Sequence, residues 1–154
     1  MKDVKLLIND EPALRAIAEP VEKFDPELPE IIYAMEQVFE KTPNAIGLAA
    51  NQINVTKRVI MIKTKSLNVV MVNPVLKKAS KQTCNSIEMC LSVPGAKVQV
   101  KRHKQIVVEY QDRVYNTHRV KLRGLDSMCV QHELFHLDGV TLKHMVETGF
   151  GVQV

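Results

Sequence analysis

Hydrophobic residues recur at helical spacing in the first third of this chain. In the stretch after Asp25-Pro26, the residues three and four positions apart are Ile31, Ile32, Met35, Val38 and Phe39. Asp25 can cap a helix, Pro26 suits its first turn, and Thr42-Pro43-Asn44 follows its end. The pattern predicts a helix over residues 26–41 and a shorter one over residues 12–18.

The middle of the chain is rich in Val, Ile and Met and indicates strands. Residues 58–63 and 67–73 form two such runs, with a turn over residues 64–66, and Pro74 closes the second run. Residues 105–111 and 115–122 predict two further strands that turn at residues 112–113. Pro94-Gly95 marks another turn, so Cys90 is expected on a strand or loop.

The last strong helical pattern covers residues 125–137 and ends before Gly139, a suitable C-terminal cap. Its spacing places a mixed set of residues on one face, which we expect to point inward. The set is Leu125, Met128, Cys129, His132, Phe135 and His136.

Length, charge and cysteine use narrow the class of protein. A chain of 154 residues is expected to form one domain over residues 1–154. Its net charge of +4 and its scattered lysines indicate solvated surfaces rather than a nucleic-acid patch, so no DNA partner is expected. No stretch reaches the length of a membrane span or signal-peptide core, which predicts a cytoplasmic protein without a membrane partner. Three separated cysteines do not form a disulfide framework.

Residues 131–139 hold the pattern His-Glu-x-x-His. On a helix, His132 and His136 lie on nearly the same face and can bind one metal ion. Glu133 can exchange protons with a metal-bound water. The alternative is an amphipathic helix carrying two histidines and a solvated glutamate. An inward pair of histidines is costly without partners, which favours a shared metal.

Two other polar candidates remain open when read alone. Residues 45–52 are small or apolar and let a backbone or ligand approach closely, but Gln52 in that loop can also be a structural amide. Cys90 can equally be an inert buried thiol.

Three motifs in order resemble those of the peptide deformylase family. Residues 45–52, Ala-Ile-Gly-Leu-Ala-Ala-Asn-Gln, are similar to the family's Gly-Φ-Gly-Φ-Ala-Ala-x-Gln, where Φ is apolar. Residues 88–92, Glu-Met-Cys-Leu-Ser, are similar to Glu-Gly-Cys-Leu-Ser, and residues 131–139 to Gln-His-Glu-x-Asp-His-Leu-x-Gly. The resemblance extends from about residue 6 through residue 139.

The resemblance implies an α+β fold, with mostly antiparallel β-sheets around a central metal-binding helix. It implies that Cys90, His132 and His136 bind one divalent metal ion, natively Fe(II), which Zn(II), Ni(II) or Co(II) can replace. Two imidazoles, a thiolate and an open position are typical of a catalytic metal site. The implied reaction is hydrolysis of the N-formyl group from nascent polypeptides that begin with formyl-methionine, with release of formate.

The resemblance also implies individual roles. Glu133 would act as base and then acid, while the Gln52 side chain and the Leu91 backbone N–H would stabilise the oxyanion. Glu88 and Arg102 would steady the metal ligands from behind. The residues implied in substrate binding are Ile46, Gly47, Ile87, Leu125, Met128 and Cys129.

Four departures from the family pattern lead to expectations of their own. Ala45 would be strained if its position needs a positive φ, and Met89 could narrow the cleft or alter substrate choice. Phe135 replaces an Asp, which removes a polar contact. The tail after residue 139 is too short for a long C-terminal helix, so weak or no ribosome contact through such a helix is expected.

Three rival functions are weighed against a deformylase. A zinc metalloprotease would take a third ligand downstream, but His144 has an unfamiliar spacing. A deformylase-like binding protein without catalysis would not need Glu133 and Gln52. A structural metal site would require a fourth protein ligand, for which Cys84 and Cys129 offer no evident reason.

Overall fold

The structure is a computed structural model that describes residues 4–9 and 11–154. Helix α1, Leu28–Lys41, begins two residues later than predicted and ends where predicted. Asp25 caps the turn before it, because its Oδ1 accepts the Glu27 N–H at 2.9 Å. The apolar face of α1 is buried in one of the protein's cores.

The predicted helix over residues 12–18 is only a 3-10 helix, Pro12–Arg15. Ala16 is already extended, and the Ala18 N–H donates to the Leu137 carbonyl at 2.8 Å. The helix ends early because the extended backbone after Arg15 forms this hydrogen bond with Leu137, a residue distant in sequence.

A five-stranded antiparallel sheet forms one side of the molecule, in the order β1-β2-β3-β6-β7. Its strands are β1 (Gly47–Ala49), β2 (Val59–Lys63), β3 (Asn68–Ala79), β6 (Gln105–Gln111) and β7 (Thr117–Arg123). The prediction that Pro74 closes β3 is wrong. The pairing of β3 with β6 shifts register between Val72 and Val75, and a proline is tolerated at such an irregularity.

A second antiparallel sheet has the order β4-β5-β8, formed by Thr83–Cys90, Val93–His103 and Gly151–Gln153. The predicted turn at Pro94-Gly95 is wrong, because both residues lie within β5. The chain turns at Leu91 and Ser92 instead. This places Cys90 at the last position of β4, directly before the turn.

Helix α2, Gly124–Leu137, packs against β1 and β2 of the first sheet and β5 of the second. The prediction of one inward face is only partly correct, because Leu125 and Phe135 are exposed. Val130, Leu134 and Leu137, outside the predicted face, are buried in the core beside the first sheet. A helix that packs on two sheets buries more than one face, whereas the predicted spacing identified only one.

The chain continues past α2 into the six-residue helix α3, Leu142–Glu147, and then β8. Gly139 has a φ of +75° and ends α2, as predicted. Within the described residues, no helix is long and apolar enough to cross a membrane. The architecture confirms the predicted α+β class, with antiparallel sheets around the helix that carries both histidines.

Candidate active site

Cys90, His132 and His136 converge on one point between β4 and α2. The Cys90 Sγ lies 3.3 Å from the His136 Nε2, which lies 3.2 Å from the His132 Nε2. All three donor atoms lie within 4.8 Å of one another. Around a tetrahedral ion such donors stand roughly 3.3–3.6 Å apart, given typical metal–sulfur and metal–nitrogen lengths. The donor set therefore fits a single metal ion and leaves a fourth coordination position for another ligand.

A buried ion pair stands behind His132. Glu88 Oε1 lies 2.8 Å from His132 Nδ1, and Arg102 donates Nε and Nη2 to Glu88 at 2.9 and 2.7 Å. Burial raises the pKa of Glu88, but hydrogen bonds from Arg102 and His132 outweigh it and bring that pKa to about 2. Glu88 thus stays ionised and fixes the orientation of the His132 ring.

The two histidines differ in their affinity for protons in the metal-free protein. Burial lowers the pKa of both imidazoles, and at His136 it prevails. At His132 the charge of Glu133 and the hydrogen bonds with Cys90 and Glu88 outweigh burial, so its pKa is raised. Metal binding must therefore displace a proton from His132, because a ligating imidazole is neutral.

Glu133 is buried beside the ligands on α2, with 5% of its surface exposed. Burial raises the pKa of its carboxyl to about 7, against the opposing charge of His132. A Cβ on Gly47 would overlap the Glu133 Oε2, so the absence of a side chain on β1 makes room for this carboxylate. A carboxyl that titrates near neutrality is suited to proton transfer.

Gln52 follows β1 in a short 3-10 helix, Ala50–Ile53, and is 1% exposed. Its Oε1 accepts the Ala49 N–H at 2.9 Å, and its Nε2 donates to the Ser92 Oγ at 3.0 Å. The same Nε2 lies 3.6 Å from the Cys90 Sγ. The carboxamide nitrogen therefore lies between Ser92 and Cys90, and Leu91 joins these two residues in the adjoining turn.

The residues predicted to bind substrate are only partly brought together. Gly47 lies on β1, the edge strand of the five-stranded sheet, and Cys129 is buried on α2 one turn before Glu133. Met128 is half-buried, while Ile46 and Leu125 are exposed.

Ile87 does not share a face of its strand with Cys90, the candidate metal ligand. Along β4 the inward positions are Ser86, Glu88 and Cys90, while Ile87 alternates with them and is 65% exposed. Ile87 therefore points away from Cys90, and Ser86 takes the inward position. A shift of one residue reverses the face of a strand, so Ile87 does not lie on the face of β4 that carries Cys90.

The departures from the family pattern have distinct structural outcomes. Ala45 is not among the positive-φ positions of residues 4–9 and 11–154, so the expected strain is not present. Met89 is 65% exposed next to Cys90. The Phe135 ring lies over Arg102, with 4.7 Å between the ring centroid and the guanidinium carbon.

Sequence reasoning missed two buried polar residues that hold the site. Ser92 is fully buried and accepts from Gln52. Asn51 is also fully buried, and its Nδ2 donates to the carbonyls of His136 and Ala16 at 2.9 and 3.2 Å. Both residues stand within the motifs over residues 45–52 and 88–92, and that position was the available signal. Buried polar side chains of this kind usually have hydrogen-bond partners.

Comparison with known proteins agrees with this geometry. The family model for polypeptide deformylase matches residues 4–149. The chain is 40% identical over 139 residues to a peptide deformylase of Picosynechococcus sp., covering 87% of this chain and 74% of that protein.

Two solved structures are also similar. The PDF of Vibrio parahaemolyticus bacteriophage VP16T, in complex with actinonin, has a TM-score of 0.85 at 34% identity and covers 89% of this chain and 98% of that one. A class I type b peptide deformylase from Acinetobacter baumannii, with Met-Ala-Ser bound, has a TM-score of 0.83 at 29% identity over 91% and 96% of the two chains. The chain therefore belongs to the polypeptide deformylase family, hydrolases that remove the N-formyl group from nascent polypeptides.

Proposed function

We propose that this chain deformylates formyl-methionyl peptides in the cytoplasm as one catalytic domain, with Cys90, His132 and His136 holding a native Fe(II) ion. The observation that carries the proposal is the convergence of these three donors beside a buried carboxylate, Glu133. The mixed thiolate and imidazole set suits Fe(II), Zn(II), Ni(II) or Co(II). Such an ion, when bound, supplies Lewis acidity that lets water ionise near neutral pH.

Glu133 is the proposed general base and then the general acid. Its buried carboxyl lies beside the proposed metal ligands, where it can accept a proton from water and return that proton to the departing amine. Its Oε1 is buried and has no hydrogen-bond partner among the described residues, so it remains available to a reacting group.

Gln52 and Leu91 are the proposed oxyanion donors. The contacts of Gln52 with Ala49 and Ser92 orient the carboxamide before substrate arrives. Its Nε2 then replaces the long 3.6 Å contact with the Cys90 Sγ by a bond to the developing oxyanion. Loss of one preorganised donor of this kind typically costs about 3–4 kcal/mol of transition-state stabilisation.

The substrate backbone is proposed to pair with β1. The described strands pair with only one edge of β1, through β2, so its other edge can take an extended peptide. The methionine side chain would then lie against Cys129 and Met128, with Ile46 and Leu125 at the rim. Burial raises the pKa of the Cys129 thiol to about 12, so this wall of the pocket is uncharged.

Formate release from a short formyl-Met peptide tests the proposal, with protein prepared anaerobically and loaded with Fe(II), Ni(II) or Co(II). Wild-type protein should release formate, and Glu133→Ala should keep its metal while losing about 10²–10⁴-fold in kcat. No release from protein with stoichiometric metal would favour a binding protein. Cleavage of a matched unformylated peptide would favour a protease.

A further inference from the structure

Arg102 is a buried cation with an incompletely bonded guanidinium. Its side chain is 1% exposed, and its Nε and Nη2 both donate to Glu88. The remaining Nη1 is buried without a hydrogen-bond partner in the described part of the chain. A buried charge with an unpartnered donor is costly unless another group stabilises it.

Phe135 is the group that lies against this guanidinium. Its ring centroid stands 4.7 Å from the guanidinium carbon, within the range of a cation–π interaction. Phe135 also lines a surface cavity of about 290 Å³ together with Val75, Leu76 and Leu134. Phe135 is 39% exposed whereas Arg102 is buried, so a partly exposed ring lies over a buried cation.

Glu88 connects Arg102 to His132, the proposed metal ligand. Glu88 Oε1 is shared between the Arg102 Nη2 at 2.7 Å and the His132 Nδ1 at 2.8 Å. We propose that Phe135 is a positioning residue for the metal centre. By covering Arg102 it keeps that cation bound to Glu88, and Glu88 in turn holds the His132 ring. The proposal rests on the proposed role of His132 as a metal ligand.

Phenylalanine at this position acts differently from the aspartate of the motif. A carboxylate beside Arg102 would offer the guanidinium a second anion, which would compete with Glu88 for the same cation. The phenylalanine ring attracts the guanidinium without offering it a second anion. In this chain Glu88 is therefore the carboxylate that pairs with Arg102.

The test is the rate at which Zn(II)-loaded protein releases its metal to excess chromophoric chelator. Phe135→Leu keeps apolar bulk but removes the π face, and it should release Zn(II) roughly three- to tenfold faster. Phe135→Tyr should stay within about twofold of wild type, because it retains the ring. Phe150→Leu is the matched control, since Phe150 is 75% exposed and should leave release unchanged. Equal release by wild type and a folded Phe135→Leu protein would overturn the proposal.

A double-mutant cycle separates positioning from general packing. In a Glu88→Gln background, Phe135→Leu should add little further acceleration, because the proposed path runs through Glu88. The same acceleration in both backgrounds would contradict that path. The outcome is distinct from that of the proposed function: a Zn(II)-binding protein that releases no formate can still show this coupling. Wild-type protein that takes up no Zn(II) would overturn the metal site and the positioning role together.

Discussion

Glu133 is a buried carboxylate whose position depends on the absence of a side chain on another strand. Gly47 lies on β1, and a Cβ there would overlap the Glu133 Oε2. The φ of Gly47 is not among the positive values of the described glycines, so its requirement is close approach rather than conformation. The observed position of the Glu133 carboxylate on α2 therefore requires a glycine at position 47 of β1.

Gly47→Ala should displace the Glu133 carboxylate and lower kcat for formate release by about 100-fold, because small misplacements of a catalytic group have effects of this size. Metal content should stay stoichiometric, since the three ligands are untouched. The control is Gly149→Ala, where a Cβ would meet nothing within 4 Å but the φ is +83°. It should lower stability and leave kcat unchanged, which separates a general loss of stability from a displaced Glu133. Unchanged kcat in Gly47→Ala would show that Glu133 does not need its observed position.

Ionised Glu88 stabilises the metal-free protein, and this stabilisation is lost at acid pH. Its folded pKa of about 2 lies below the ordinary 4.5, so its contribution is complete above pH 4.5 and is lost as pH falls towards 2. A shift of this size corresponds to about 3 kcal/mol.

Urea unfolding of metal-free wild type and Glu88→Gln checks this dependence. The difference in unfolding free energy should be constant from about pH 5 up to the pH at which His132 deprotonates, because the raised pKa of His132 depends partly on Glu88. It should narrow by about 1.4 kcal/mol per pH unit below 4.5. A difference that stays constant down to pH 3 would argue against an ionised, paired Glu88.

At the scale of elements, the end of α2 is held by several distant segments. Asn51 donates to the His136 carbonyl, Arg58 Nη1 donates to the Leu137 carbonyl at 3.2 Å, and Arg15 Nε donates to the Gly139 carbonyl at 3.2 Å. The last carbonyls of a helix lack partners within it, so these donors satisfy them. Asn51 also joins this end to the segment that carries Gln52.

Gly139→Ala should lower the free energy of unfolding by about 2–5 kcal/mol, for two reasons. The φ of +75° is unfavourable for alanine, and the added Cβ would overlap the Arg15 carbonyl oxygen. Gly149→Ala has the same kind of φ, +83°, but open space around it, and should cost about 1–2 kcal/mol. Thermal or urea unfolding measures both variants. Equal losses would mean that only the backbone conformation matters at Gly139.

At the scale of the molecule, the proposed metal site joins two layers. Cys90 belongs to the β4-β5-β8 sheet, whereas both histidines lie on α2, which also packs on the five-stranded sheet. A metal ion held by these residues would connect the smaller sheet to the helix. A ligand that binds only the folded state stabilises it according to its concentration and affinity.

Removal of metal should therefore lower Tm by about 5–10 °C relative to protein held with metal at about 100 times its dissociation constant. Hydrogen exchange should accelerate more in β4 and β5 than in β2 and β3, because only the smaller sheet is connected to α2 through the metal ion as well as by packing. Differential scanning calorimetry and exchange measurements test the two parts. Uniform acceleration across both sheets would contradict the proposed link.

The sequence by itself determined the features that depend on local spacing. The apolar stripe predicted α1, and the four-residue separation of His132 and His136 placed both imidazoles on one face of α2. The three ordered motifs indicated the family, which the comparisons confirm. These properties could be predicted because helix periodicity and motif order need no knowledge of distant contacts.

Only the tertiary structure decided which distant groups meet. The face of β4 that carries Ser86 rather than Ile87 depends on strand register, and the passage of β3 through Pro74 depends on a shift in pairing with β6. The burial that brings the pKa of Glu133 to about 7 arises from packing, as does the ring of Phe135 over Arg102. Long-range packing sets these features because each depends on a partner from a distant segment or on solvent exclusion by the whole fold.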